Sequence, residues 1–92
     1  LMLALKKCAY WPARRLEECA PVFKNKGRIK VGSDADLIVF DAKTIIDKST
    51  FKNAAQYSSG IKYTLVNGVA IVKDGKFQKN IFPGKAARGQ IR

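Results

Sequence analysis

Apolar and polar positions along the first twenty residues repeat at a helical interval. Leu1, Leu3, Ala4, Leu5 and Cys8 form a short apolar face, and Lys6 and Lys7 sit near its C-terminal end, where positive charge suits the helix dipole. Pro12 stands where a second helix would begin, because proline is tolerated in a first turn and biases the residue before it away from helix. Ala13-Arg14-Arg15-Leu16-Glu17-Glu18-Cys19-Ala20 are helix formers, and Pro21 ends them. The pattern predicts helix, kink, helix over residues 1–21.

From residue 22 the period changes. Val22-Phe23 is a short apolar stretch before a Lys24-Asn25-Lys26-Gly27 turn, and Arg28-Ile29-Lys30-Val31 alternates as a half-buried strand does. Gly32-Ser33-Asp34 is turn chemistry. Ala35-Asp36-Leu37-Ile38-Val39-Phe40-Asp41 is nearly continuous in apolar residues, the pattern of a strand covered on both faces. Residues 42–60 have no clean period and read as a long loop with one helical turn, docked through Ile45, Phe51 and Tyr57. Ile61–Val66 and Val69–Lys73 flank Asn67-Gly68, whose residues favour the two positive-φ positions of a type I′ hairpin turn. Asp74-Gly75 makes a second such turn, with Lys76–Lys79 pairing back as a short strand. The fold class is mainly β with an N-terminal helical segment. It divides into a helical lead-in (1–21), a β portion with the Asn-Gly hairpin (22–82) and a basic tail (83–92) that opens on Pro83-Gly84.

Composition narrows the class. Ninety-two residues, 47% of them hydrophobic, suit one small domain, which buries a little over ~60% of its unfolded surface. No apolar run approaches the roughly 20 residues of a membrane span, and Leu1–Leu5 is too short for a signal-peptide core. The expectation is a soluble, cytoplasmic chain.

Charge leaves two readings open. Eighteen Lys and Arg against seven Asp and Glu give a net charge of +11. Either a face binds polyanions, or this is the solvated surface of a piece whose acidic complement lies elsewhere. The basic residues are spread along the chain, with a mild cluster at Lys24, Lys26, Arg28 and Lys30. With no RNA-reading aromatic motif and no recognition helix, nucleic acid is the second reading.

Candidate chemistry is sparse. The chain has no histidine and two cysteines, Cys8 and Cys19, which fall short of a four-ligand zinc site and read as small, partly buried, reduced residues. Asp34, Asp36 and Asp41 could be taken for a carboxylate cluster, but they read as turn and strand-end caps in the absence of a base, nucleophile or third ligand. Glycines 27, 32, 60, 68, 75 and 84 match no phosphate-loop spacing and punctuate strands instead. Thr50, Ser58 and Ser59 lack a histidine partner for nucleophilic chemistry. Trp11 reads as a packing anchor. No catalytic, cofactor-binding or metal-binding residue is expected.

One resemblance is carried by a series of short texts. Leu5-Lys6-Lys7-Cys8-Ala9-Tyr10-Trp11-Pro12-Ala13-Arg14-Arg15-Leu16 is followed by Gly27-x-Ile29-x-x-Gly32-x-x-Ala35-Asp36-Leu37-Ile38-Val39-Phe40-Asp41. Thr50-Phe51, Gly60-Ile61, Val66-Asn67-Gly68 and Pro83-Gly84, with Arg88 beyond, complete the series. Together they resemble the C-terminal end of the amidohydrolase superfamily, and most of all its N-acyl-D-amino-acid deacylases. Ala9, where that branch often has Thr, and Ala54-Ala55, where it often has Pro-His, depart from the pattern. The resemblance implies a parent with a zinc-bearing (β/α)8 barrel beside a small β-sandwich assembled from both ends of its chain. This chain would supply only the C-terminal part of that sandwich, since a barrel takes about 250 residues. The resemblance also implies that metal ligands and catalytic aspartate lie in the missing barrel. Ile38, Val39, Phe40, Leu65, Val66, Ile71 and Val72 would build the sandwich core, and Trp11, Pro12 and Leu16 would tie it to the barrel. The expected partners are the barrel and N-terminal strands of the same parent, with a homodimer possible through the exposed sheet edge. The alternative is an autonomous basic β module that binds nucleic acid or another polyanion.

Overall fold

Helix-forming residues carry the chain from Met2 to Leu16 in three consecutive segments: α1 (Met2–Leu5), a π-helical stretch (Lys6–Tyr10) and α2 (Trp11–Leu16). This is a computed structural model, and it describes residues 1–89. No non-helical residue separates the segments at Pro12. Trp11 keeps helical dihedrals (φ −65°, ψ −41°), and its N–H reaches back five residues to the Lys6 carbonyl. Proline lacks the N–H that would bond to Cys8, and its ring crowds that carbonyl. Widening the preceding turn to i→i+5 spacing accommodates both problems without breaking the helix. The helix stops at Leu16, earlier than its composition suggests, and Ala20 turns to extended dihedrals (φ −137°, ψ 99°) ahead of a 3₁₀ turn at Pro21–Asn25.

The chain divides into two compact units, Leu1–Asp34 with the described tail residues, and Ala35–Gly84. In the first, α2 lies against the 3₁₀ turn. Arg28–Val31, expected as a strand, is instead bent and turned, closed by the Ser33 N–H to the Lys30 carbonyl. Ile29 and Val31 stand 89% and 103% exposed. Alternation marks a strand only where another strand pairs with it, and among the described residues none does.

The second unit is one antiparallel meander in the order β1 (Leu37–Phe40), β2 (Ile61–Val66), β3 (Val69–Lys73), β4 (Lys76–Phe77). Leu37 pairs with Leu65 and Val39 with Tyr63, and a register shift at Val39/Phe40 then sets Phe40 opposite Ile61. Both two-residue turns have the conformation their sequence requires: Asn67 and Gly68 at φ 50° and 77°, Asp74 and Gly75 at φ 52° and 76°. Residues 42–60 form the expected long loop, with one helical turn where Thr44 and Ile45 both bond the Asp41 carbonyl. An isolated bridge pairs Ile46 with Ser59.

Burial departs most from expectation. Phe40, Leu65, Val66, Ile71 and Val72 are half-buried, but Ile38 and Val39 are 52% and 50% exposed, so β1 is not covered on both faces. Phe51, expected to dock the long loop, is fully exposed, while Tyr57 gains only a stacked contact with Phe77 (centroids 6.0 Å apart). Among the described residues Ala13 is the one apolar residue that is buried, and it keeps 5% of its surface exposed. Among the same residues no helix is long and apolar enough to cross a membrane.

Candidate functional site

Two hydrogen-bonded clusters stand out among the described residues, one in each unit, and the one in the sheet unit is built from motif residues. In the sheet unit, the Gly68 N–H donates to the Ala35 carbonyl (3.0 Å) and the Asn67 N–H donates to Asp36 Oδ1 (2.9 Å). The Asn67 side chain extends the same knot, Nδ2 donating to the Pro83 carbonyl at 2.6 Å. The hairpin turn is thus held from both sides, by the segment entering β1 and by the segment leaving the sheet. Asp36 spends one carboxylate oxygen on an otherwise unpaired turn N–H, which is a capping role. Asp41 does likewise, accepting the Lys43 N–H at 2.9 Å, and Asp47 accepts that of Ser49. The Ser49 bond holds the Asp47 carboxyl below its ordinary range.

In the helical unit, Arg28 is the organising side chain. Its guanidinium donates to Glu17 Oε2 (2.9 Å) and to the carbonyls of Lys26 (2.9 Å) and Phe23 (3.5 Å). It also lies over the Tyr10 ring at 5.3 Å from the centroid. Glu17 accepts a second bond from Arg14 (2.8 Å), so one carboxylate bridges two arginines. Lys26 pairs with Asp34 at 3.0 Å. The sequence placed Arg28 in a strand and in a basic cluster, and nothing local signalled its partner eleven positions earlier. The cluster is therefore partly neutralised within the unit.

Glu17 gives this arrangement a pH signature. The hydrogen bond from Arg28 comes first, with the Arg14 charge behind it, and together they hold Glu17 below the ordinary glutamate value of 4.5. A depressed carboxylate stabilises the folded state fully above its unfolded pKa, and that share is lost as pH falls through the lower folded-state value. Urea midpoints of the helical unit should therefore fall between pH 5 and pH 3, about the range a depressed carboxylate spans. In Glu17→Gln that fall should shrink; an unchanged slope would remove Glu17 as its source.

Among the described residues no three of His, Cys, Asp and Glu group to hold a metal ion, and both cysteines are free and exposed, not partly buried as expected. Asp34, Asp36 and Asp41 do not converge: Asp34 belongs to the helical unit, with its own ion pair, and the other two cap different turns. Thr50 caps the Asn53 N–H at 2.9 Å. Trp11 is 47% exposed.

No protein-family model matches the chain, and no solved structure does. Curated proteins do. N-acyl-D-glutamate deacylase of Alcaligenes xylosoxydans xylosoxydans is 45% identical over 47 residues, 51% of this chain and 10% of the enzyme. D-aminoacylase of the same organism is 30% identical over 79 residues, 86% of this chain and 15% of the enzyme. D-hydantoinase of Rhizobium radiobacter is 38% identical over 81 residues, 77% of this chain and 17% of the enzyme. The chain resembles enzymes of the amidohydrolase superfamily. It spans between a tenth and a sixth of the length of these amidohydrolase relatives.

Proposed function

We propose that this chain is a non-catalytic, C-terminal portion of a metal-dependent amidohydrolase, contributing part of a small β-sandwich beside a catalytic barrel. The parent would hydrolyse the amide bond of an N-acyl-D-amino acid or a related compound, using water activated by zinc held in the barrel. One observation carries the reading: the matches cover 51–86% of this chain but only 10–17% of the enzymes. The burial pattern supports it. Ile38 and Val39 on the sheet, Met2, Leu3 and Trp11 on the helical stretch, and Leu1 before it are all close to half exposed or more. Apolar surface on this scale in a domain with almost no buried core suits surfaces that other parts of a larger protein cover. The β1 edge would pair with N-terminal strands of the parent, or with a second copy when they are missing. The residues here bind no metal and perform no step; their role is to hold the sandwich together.

The decisive measurement is the size of the native polypeptide, by immunoblot of source-cell lysate with an antibody to this sequence. A band above roughly 35 kDa, room for a barrel of about 250 residues plus this 10.2 kDa portion, is expected. A band near 10 kDa would overturn the reading and favour an autonomous basic module, for which steeply salt-dependent polyanion binding is the signature.

A further inference from the structure

Asn67-Gly68 is chemically the most labile dipeptide in the chain. In an unconstrained Asn-Gly sequence the glycine nitrogen, unhindered by any side chain on its own residue, attacks the asparagine Cγ. The new N–Cγ bond forms as the Cγ–Nδ2 bond breaks, and ammonia leaves with the proton from the glycine nitrogen. Water then opens the five-membered imide at either carbonyl, giving aspartate or the isoaspartate isomer. The reaction needs only water and a free glycine N–H, with the Asn side chain able to swing over that nitrogen.

Here all three moving parts are held. The attacking nitrogen, that of Gly68, has its N–H committed to the Ala35 carbonyl at 3.0 Å. The leaving group, Asn67 Nδ2, is tied to the Pro83 carbonyl at 2.6 Å, which keeps the side chain away from that nitrogen. The Asn67 N–H is fixed by Asp36 Oδ1 at 2.9 Å, and φ of 50° and 77° at Asn67 and Gly68 place both residues in the tight turn. The chain's other asparagines precede Lys26, Ala54 and Ile81, whose side chains hinder the same attack.

We propose that Asn67 is a site of spontaneous deamidation held in check by this clamp, and that its conversion is a one-way release of the Pro83 segment. The product explains the direction. An aspartate at position 67 presents only acceptors at neutral pH, so its carboxylate faces the Pro83 carbonyl with no proton between them. Isoaspartate adds a backbone methylene to a two-residue turn, which disrupts the hairpin register. Either product removes the bond that fastens residue 83 to the hairpin, and water cannot restore the amide.

The test is peptide-mapping mass spectrometry of the 92-residue chain held at neutral pH, scoring aspartate and isoaspartate at each asparagine, in buffer and in concentrated urea. In urea Asn67 should convert faster than Asn25, Asn53 and Asn80. In buffer its rate should drop by about tenfold or more, since reaction waits on local opening. Asp36→Ala, which removes one arm of the clamp, should raise the rate in buffer towards the urea value while leaving the urea rate unchanged. Hydrogen exchange at the Gly68 amide, measured on the same samples, should be slow in buffer and faster in Asp36→Ala. Equal Asn67 rates in buffer and urea would overturn the proposal. So would fast Gly68 exchange in buffer, or an Asn67 rate in urea no higher than that of Asn53.

Discussion

Gly60→Ala is expected to unfold the sheet unit or bring it close to unfolding. Gly60 sits at φ 92°, in the left-handed region, where an L-residue is strained by about 1–2 kcal/mol. The larger obstacle is contact. A Cβ at Gly60 would lie 2.5 Å from Ile45 Cα, 2.6 Å from Ile45 N and 2.8 Å from the Thr44 carbonyl carbon. All three are backbone atoms in the turn that Asp41 closes, so no side chain can swing aside. Forcing them apart adds a further ~1–3 kcal/mol. It would also disturb the Asp41 N–H to Gly60 carbonyl bond (2.9 Å) and the Ile46–Ser59 bridge beside it. The sum of about 2–5 kcal/mol equals most of what so small a core supplies. The comparison is Gly32→Ala, at φ 87° with no atom near its would-be Cβ, and Gly84→Ala, with neither positive φ nor a neighbour. Urea midpoints should fall little or not at all for Gly84→Ala, modestly for Gly32→Ala and most for Gly60→Ala. A Gly60→Ala midpoint no lower than that of Gly32→Ala would mean that the loop does not approach β2 as described.

The difference between these glycines separates what the sequence made legible from what it did not. Asn67-Gly68 and Asp74-Gly75 were readable because a two-residue hairpin turn is decided by its own residues, and both have the positive φ expected of them. The pairings of β2 with β3 and β3 with β4 followed from these turns, whereas the pairing of β1 with β2 across the long loop did not. Gly60 was readable as punctuation, but the reason for it lies fifteen residues away at Ile45 and left no local trace. Arg28–Val31 misled for the complementary reason, since its alternation is a strand pattern awaiting a partner that no described residue provides. Pro12 was read as opening a second helix, but Trp11 before it keeps αR dihedrals despite the proline's steric bias, and the missing N–H is absorbed by π spacing in the turn before it. The cysteines and Ile38 and Val39 came out more exposed than read, because residue type and an unbroken apolar run signal what a side chain favours and not what is there to cover it. Asp36 and Asp41 were legible as caps from turn spacing alone, whereas the Arg28–Glu17 bridge required the tertiary fold.

Gly27→Ala should do to the helical unit what Gly60→Ala does to the sheet, and the accompanying acid response shows why. Gly27 sits at φ 69°, and a Cβ there would fall on the Ala9 carbonyl oxygen and 2.9 Å from both the Ala9 carbonyl carbon and Ala13 Cβ. Ala13 is the most buried apolar residue described and α2 is built around it, so the helix cannot shift without exposing it. Strain of about 1–2 kcal/mol and steric displacement of ~1–3 kcal/mol again add up. Arg28 follows directly in the chain, and its bonds to Glu17, Lys26 and Phe23 and its place over Tyr10 depend on where residue 27 seats against the helix. Moving that seat should lift Glu17 back towards its ordinary pKa. Gly27→Ala is therefore expected to combine a large fall in the urea midpoint at pH 7 with loss of the extra acid sensitivity between pH 5 and pH 3. Gly32→Ala, with no such contact, should keep that sensitivity. A Gly27→Ala protein that is destabilised yet retains the full acid slope would show that Arg28 holds Glu17 independently of its neighbour, and the two bonds would then count as separate fastenings of the chain to its helix.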